Sequence, residues 1–333
     1  MREKISVAII PTFIKILVPG YRDRWAKRYS VMLECIKRVH PTLCYGDSDY
    51  GPWIESKESS LRLHGFWTEA ENAEVFDILC EYFPKDLSKQ HFRLLKDYIN
   101  RFEYPHMRPD LRPSSGSVDR LWGFHGQHKD TIFDIDSKDD QIRLIRAFTP
   151  KNGEVFLDCG AFLGFGDIRM VADIPDGHVI AVEASKSCYD ILMRNKIHNA
   201  DTQITALHNG IWREAGRLDL NTGFAQSNSL VEDIVKGSEE QIVETKSVDE
   251  IVKELGLTKL SMISLTINGA EIEALEGSSR TLNELRPRVR LAGWYKRNGE
   301  PVSHSAVKQL LLHDYDTFIG PRNNVLAIPK EQV

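Results

Sequence analysis

From Glu154 onward, short apolar runs alternate with segments whose apolar residues recur at helical spacing. EVFLDCG, HVIAVEAS, QITALHNG, LSMISLTI and RVRLAGWY are compact and rich in Val, Ile, Leu and Phe, the texture of strands buried on both faces. Between them lie DIRMVADI, SCYDILMRNKIHN, SVDEIVKEL, the pair AEIEALEGS and RTLNELRP, and SAVKQLLLHD, which carry the helical period. RLDLNT reads as a short added strand, and DTFIG followed by NVLAIP as a terminal hairpin. Strands alternating with helices over about 180 residues predict an α/β domain with a doubly wound, mostly parallel sheet.

The first third has another texture. RDRWAKRYSVMLECIKRVH predicts a helix from Arg22 to His40, and Thr68 with Glu71 makes a capping box ahead of AEVFDILCEYF. Phe92, Leu95, Tyr98, Ile99 and Phe102 recur at helical spacing, an aromatic stripe that belongs to a core. YPHMRPDLRPSSGS, with Pro105, Pro109, Pro113 and Gly116, disfavours both helix and sheet. The boundary is placed there, giving a helical N-terminal region over 1–116 and the α/β domain over 117–333. Gly123 and Gly126 then mark turns, and SKDDQIRLIRAF predicts a helix capped by Ser137.

Composition narrows the class. Hydrophobic residues make up 41% and charged residues 27% of 333, the profile of a soluble globular protein. A net charge of −5 argues against a broad nucleic-acid-binding surface. The five cysteines, Cys35, Cys44, Cys80, Cys159 and Cys188, form no CxxC pair, so a reducing compartment, the cytoplasm, is expected and no metal site. ISVAIIPTFIKILVPG is apolar but broken by Pro11 and Lys15, too short for a membrane-spanning helix, and lacks a small-residue cleavage site. Residues 1–40 carry nine Lys/Arg against three Asp/Glu. That basic end either touches an anionic membrane or a lipid-linked substrate, or is the solvated face of a first helix. A homo-oligomer is compatible with the same composition.

The sharpest chemical signal is FLDCGAFLGFGD. Asp158 ends the first strand of the domain, and Gly160, Phe162 and Gly164 lie in the loop that opens the next helix. Glycines there let a ligand approach backbone N–H groups. The spacing G-x-x-x-G-x-G departs from the G-x-G-x-x-G of dinucleotide folds, which disfavours a nicotinamide oxidoreductase. An acid on the strand side would repel a diphosphate and welcome a cation. Glu183, 19 residues after Gly164 and followed by Ala184 and Ser185, can accept both hydroxyls of a ribose. A ligand with a ribose and a cationic amino-acid end fits both acids, and S-adenosylmethionine is such a ligand.

Other candidates stand at later strand ends. His208, Asn209 and Gly210 can read an adenine edge, or His208 is a satisfied core histidine. Trp294 and Tyr295 can stack on adenine or on an acceptor, or simply pack. His125 and His128 could approach an acceptor from a lid, or lie in a surface loop; no partner spacing supports a metal.

With these motifs the chain resembles the FkbM-like branch of class I methyltransferases. The resemblance rests on FLDCGAFLGFGD, AVEAS, AGRLDL with SNSL, and SMISLTINGAEIEALEGS, and covers about residues 130–330. It implies a seven-stranded Rossmann-like sheet, S-adenosylmethionine as methyl donor, and a hydroxyl acceptor on a sugar or natural product, hence a small-molecule or glycan partner. Gly269, Ala270, Glu271 and Gly277 match the family's last segment. Ser264 stands where the family usually has Lys, Thr266 at its Asp position, Asn268 at its first Glu, and Phe162 where Asn is common. Catalytic roles therefore fall on Glu271, Asn268 and Thr266. Thr266 and Asn268 can orient an acceptor but cannot act as bases near neutral pH. Glu271 is either the base or a partner for backbone N–H groups. Ser227, Asn228 and Ser229 line the acceptor side by the same resemblance, or form an ordinary polar loop. A catalytically silent binding or regulatory protein on the same scaffold is the alternative reading.

Overall fold

The computed structural model describes residues 43–46, 53–56, 61–64, 138–200, 202–222, 228–231, 239–320 and 323–332. The helices expected before residue 116, the Thr68–Glu71 cap, the proline-rich crossing, the Ser137 cap, Ser227, His125 and His128 all lie outside the described residues. The chain divides into two units, residues 1–116 with 124–127 and residues 117–123 with 128–333.

Within the first unit, β1 (Leu43–Gly46), β2 (Trp53–Ser56) and β3 (Arg62–His64) form an antiparallel meander. Glu55 and Arg62 face each other across it and are hydrogen-bonded at 2.6 Å, while the Arg62 guanidinium lies 4.5 Å from the Trp53 ring centroid. The helical expectation for this region did not include these strands. At three and four residues each, they are shorter than the window in which periodicity can be read.

The second unit runs α1 (Lys138–Phe148), β4 (Val155–Cys159), α2 (Phe165–Asp173), β5 (His178–Glu183), α3 (Lys186–Asn199) and β6 (Ile204–His208). Then come β7 (Gly210–Ile211), β8 (Gly216–Thr222), β9 (Glu239–Lys246), α4 (Val248–Glu254), β10 (Met262–Leu265), α5 (Glu271–Glu276) and α6 (Ser279–Glu284). The unit closes with β11 (Arg288–Leu291), β12 (Lys296–Arg297), β13 (Glu300–Pro301), α7 (Val302–Leu312), β14 (Tyr315–Ile319) and β15 (Val325–Pro329). Seven of these strands form one sheet in the order β14-β15-β11-β10-β4-β5-β6. From β11 to β6 every pairing is parallel; β15 runs antiparallel to both its neighbours. The expected α/β class and seven-stranded sheet are what the structure shows.

The order of strands decides where a ligand goes. From β4 the chain winds one way through β5 and β6, and later the other way through β10 and β11. The reversal lies between β4 and β10, and in open α/β sheets the binding crevice opens at the carboxyl ends of the strands at such a point. The sheet beneath is apolar on both faces: Leu157, Cys159, Ile180, Ile263, Leu265 and Val289 are buried on one, and Phe156, Val179, Ala181 and Met262 on the other. A buried ion pair, Arg288 with Glu154 at 2.7 Å, closes the opposite, amino-terminal end.

RLDLNT became β8, the expected added strand, paired antiparallel with β9 over its full length. β9 leads directly into α4 through a complete capping box. Ser247 Oγ accepts from Glu250 N–H at 3.2 Å, and Glu250 Oε2 accepts from Ser247 N–H at 2.8 Å. Ser247→Ala is expected to lower stability by about 1 kcal/mol, read as a shift of the urea midpoint at unchanged slope. Among the described residues, no helix is long and apolar enough to cross a membrane.

Candidate functional site

Two loops meet at the sheet's reversal. The first leaves β4 and folds back on β5: Gly160 and Ala161 N–H both donate to Val182 O, at 2.9 and 3.0 Å. Glu183, at the end of β5, then clasps it. Its Oε2 accepts from Phe162 N–H and its Oε1 from Ser185 N–H, each at 2.8 Å. Burial pushes the Glu183 carboxyl up to about 7, against those backbone hydrogen bonds, which favour the charged form. Each oxygen keeps a second lone pair, so Glu183 can hold the loop and still accept a hydroxyl.

The loop's backbone sets a cost on one departure from the family pattern. Phe162 has φ of 52°, between Gly160 at 89° and Gly164 at 77°. Asn tolerates the left-handed region and Phe does not, at a cost of about 1 kcal/mol. The N–H that Phe162 gives to Glu183 holds it there.

The second loop follows β10. Thr266 N–H donates to Cys159 O at 2.9 Å, and a Cβ placed on Gly160 would stand 2.1 Å from Thr266 O, so the two loops are in backbone contact. Glu271 is fully buried, and its two oxygens accept from Ile267 N–H at 3.1 Å and Gly269 N–H at 2.9 Å. Of the two roles open to Glu271, the structure takes the backbone partner. The lack of solvent-accessible surface on Glu271 disfavours the general-base role. Burial drives its carboxyl up to about 7. Asn268, with φ of 54°, donates from Nδ2 to Asn228 O at 2.6 Å and accepts at its own carbonyl from Ser229 Oγ at 2.8 Å. Thr266 is half-buried at the crevice.

Two of the remaining assignments need correction. Ser229 is 1% exposed and is spent on this internal stitch, its Oγ also accepting from Val231 N–H at 3.1 Å, so it cannot line an acceptor pocket. Asn209 and Gly210 do not read a ligand edge either. Asn209 donates to Glu244 O at 3.2 Å, and a Cβ on Gly210 would press on Leu230, Thr245 and Val243 within 3.3 Å. Their work is to pack β7 on β9. His208 is better placed: its Nε2 is 3.1 Å from Ala184 O, and its ring stacks on Tyr189 at 5.0 Å, beside Glu183 and Ser185. Trp294 is half-buried, tilted against Tyr295 at 5.8 Å. A Cβ on Gly269 would lie 3.9 Å from both Tyr295 and Val231, so the aromatic pair and the 228–231 segment border the second loop.

Three residues not singled out in the sequence for the donor end of this site join Asp158. The register sets Arg290, Ser264 and Asp158 side by side across β11, β10 and β4. Arg290 Nη2 donates to Ser264 Oγ at 3.0 Å. Asp167, in the first turn of α2, is 2% exposed and faces Asp158. Burial raises its carboxyl well above the usual range, and the Asp158 charge and hydrogen bond add to this while Arg290 opposes it. The one available signal was Arg290 itself, a charge inside the otherwise apolar VRLA.

Residues 158–317 match the family model of the methyltransferase FkbM domain. The matched stretch runs from the end of β4 into β14 and contains both loops. A curated relative, the methyltransferase sdnD of Sordaria araneosa, is 26% identical over 169 residues, which is 41% of this chain. The match spans 65% of that relative's length. Among solved structures, the methyltransferase FkbM from Methylobacillus flagellatus KT is 14% identical with a TM-score of 0.40, over 64% of this chain and 58% of its own. A SAM-dependent methyltransferase from Aquifex aeolicus is 12% identical with a TM-score of 0.33, over 56% of this chain and 88% of its own. Aeropyrum pernix fibrillarin, with natively bound S-adenosyl-L-methionine, is 12% identical with a TM-score of 0.34, over 54% and 67%.

Proposed function

We propose that the α/β unit binds S-adenosylmethionine and transfers its methyl group to a hydroxyl of a small molecule or glycan. The observation that carries this is the pair of acids at the sheet reversal, Asp158 for a cationic amino-acid end and Glu183 for ribose hydroxyls. The donor set suits the molecule: a half-buried acid beside a glycine loop, a carboxylate with free lone pairs, and a histidine–tyrosine stack next to it. When bound, the sulfonium supplies an electrophilic methyl carbon, and the reaction is an in-line displacement. What the protein contributes is chiefly the positioning of the acceptor oxygen in that line. Thr266 presents a hydroxyl at the crevice and Trp294 an aromatic wall, both able to orient an acceptor.

Isothermal titration with S-adenosylmethionine tests the reading. Wild type should bind, and Glu183→Ala should bind at least about tenfold more weakly, the scale of a lost charge-assisted hydrogen bond. Absence of binding by folded wild type at millimolar ligand would sink it.

A second reading, a silent binding or regulatory protein, is favoured by one specific observation. The acid kept in the second loop, Glu271, is committed to backbone N–H groups, and its neighbours Thr266 and Asn268 are not bases. Donor that binds but is never consumed across a panel of sugar and polyketide hydroxyls would support this reading. Formation of S-adenosylhomocysteine by wild type would dismiss it.

A further inference from the structure

Beneath the glycine loop, the acids outnumber the cations. Asp167 Oδ2 is buried, and no donor reaches it. It lies against the loop, 3.7 Å from where a Cβ on Gly164 would stand. The group that acts on it is the carboxylate of Asp158, another acceptor. Two facing carboxylates can hydrogen-bond only if one of them carries a proton. The surrounding charges are few. Arg290 faces the pair from β11, Ser264 from β10 offers a hydroxyl held by Arg290, and Glu183 from β5 also feels Asp158. The adjacent Cys159 thiol is pushed up by burial and stays neutral. α3 contributes the apolar Leu192 against Gly164.

We propose that Asp158 and Asp167 form one proton-sharing acid pair, offset by the fixed cation Arg290, and that the pair gives up its proton to solvent when a cationic ammonium arrives. The charges balance in both states. Without ligand, the pair holds one proton and one negative charge, and Arg290 cancels that charge. With an ammonium in place, the second carboxylate ionises and two anions face two cations. Asp167 is then a second binding acid, and Arg290 a positioning residue that fixes how much negative charge the pair presents. Arg290 also fills the electrostatic place left where the family's lysine position is Ser264. The inference rests on the donor reading above and deepens it.

Two measurements decide it, one without ligand. In thermal melts of ligand-free protein between pH 5 and 9, Asp167→Asn should lose less stability than wild type as pH rises. The sign follows from the raised folded-state value of Asp167: its contribution is present below the ordinary aspartate range and is lost on ionisation at higher pH. In calorimetry with S-adenosylmethionine, in buffers of different ionisation enthalpy, wild type should release about one proton more than Asp167→Asn. Its affinity should also climb about tenfold more per pH unit while Asp167 holds its proton. The comparison with Asp167→Asn subtracts any proton that Glu183 contributes. Arg290→Met should move this rise to higher pH, and Arg290→Lys should restore it. Parallel melts of wild type and Asp167→Asn, or equal proton counts on binding, would overturn the pair. A failure of wild type to bind would refute the donor reading instead, and the melts would still decide the shared proton.

Discussion

Glu271→Ala is expected to destabilise the α/β unit by about 2–5 kcal/mol, because it leaves two buried backbone donors unpaired. Those donors, Ile267 and Gly269 N–H, are otherwise satisfied only through the Glu271 carboxylate, which itself has no contact with water. Glu271→Gln keeps one acceptor oxygen but turns an amide N–H toward the other donor, so roughly half of the loss should return. The pair of variants separates the two roles the sequence allows. A catalytic base would give a variant that folds normally and turns over slowly, with Gln as damaging to turnover as Ala. A backbone clasp gives a loss of urea midpoint first, with activity following the folded fraction. The pH dependence carries the same signature. Glu271 and Glu183 are both pushed up to about 7 by burial. A carboxyl raised in the folded state contributes stability below its unfolded value of 4.5, and that contribution is lost as pH rises toward 7. Wild type should therefore melt lower at pH 8 than at pH 5, and Glu271→Gln should flatten part of that slope. A melting temperature that rises from pH 5 to pH 8 would contradict the dominance of burial over the backbone hydrogen bonds, which favour the charged form.

The α/β alternation after Glu154 was legible because buried parallel strands are continuous apolar runs, and helices of nine to fourteen residues repeat their period often enough to register. β9 was missed for the converse reason. EEQIVETK has only two apolar residues, Ile242 and Val243, adjacent rather than alternating, and Ile242, 71% exposed, offers no buried face on its side of the strand. Site residues divided along a similar line. Asp158 and Glu183 are local facts, each an acid at the end of an apolar run beside glycine or small residues. Asp167 and Arg290 are not. Their meeting depends on the β4–β10–β11 register and on how α2 leaves the glycine loop, and neither is written in spacing. Ser229, Asn209 and Gly210 erred in the opposite direction. A polar or small residue at a strand end can equally face a crevice or satisfy a neighbouring backbone, and only the partner across the fold, Asn268 or Glu244, settles which.

Gly160→Ala should be among the most damaging single-methyl changes in the domain. The added carbon would stand 2.1 Å from Thr266 O and 2.8 Å from Thr266 C, both backbone atoms, so no side-chain rotation relieves the collision. Alanine also resists the φ of 89°. Gly153 isolates these two effects. It has φ of 74° and nothing within 4 Å of an added Cβ. Gly153→Ala should therefore show the backbone strain alone, about 1 kcal/mol, and leave donor affinity unchanged. Gly160→Ala carries the strain plus the collision and should lose about 3 kcal/mol or more. The collision has a direction. It drives the β4 loop away from the β10 turn, stretching Thr266 N–H from Cys159 O and the Gly160 and Ala161 N–H groups from Val182 O. Phe162 N–H is then drawn off Glu183, so the carboxylate that would meet the ribose loses one of its two anchors. Donor affinity measured well below the urea midpoint should fall further than in Glu183→Gln, where the loop itself stays in place. If Gly160→Ala were no less stable than Gly153→Ala, the two loops would not be in contact, and the crevice would not be framed as described.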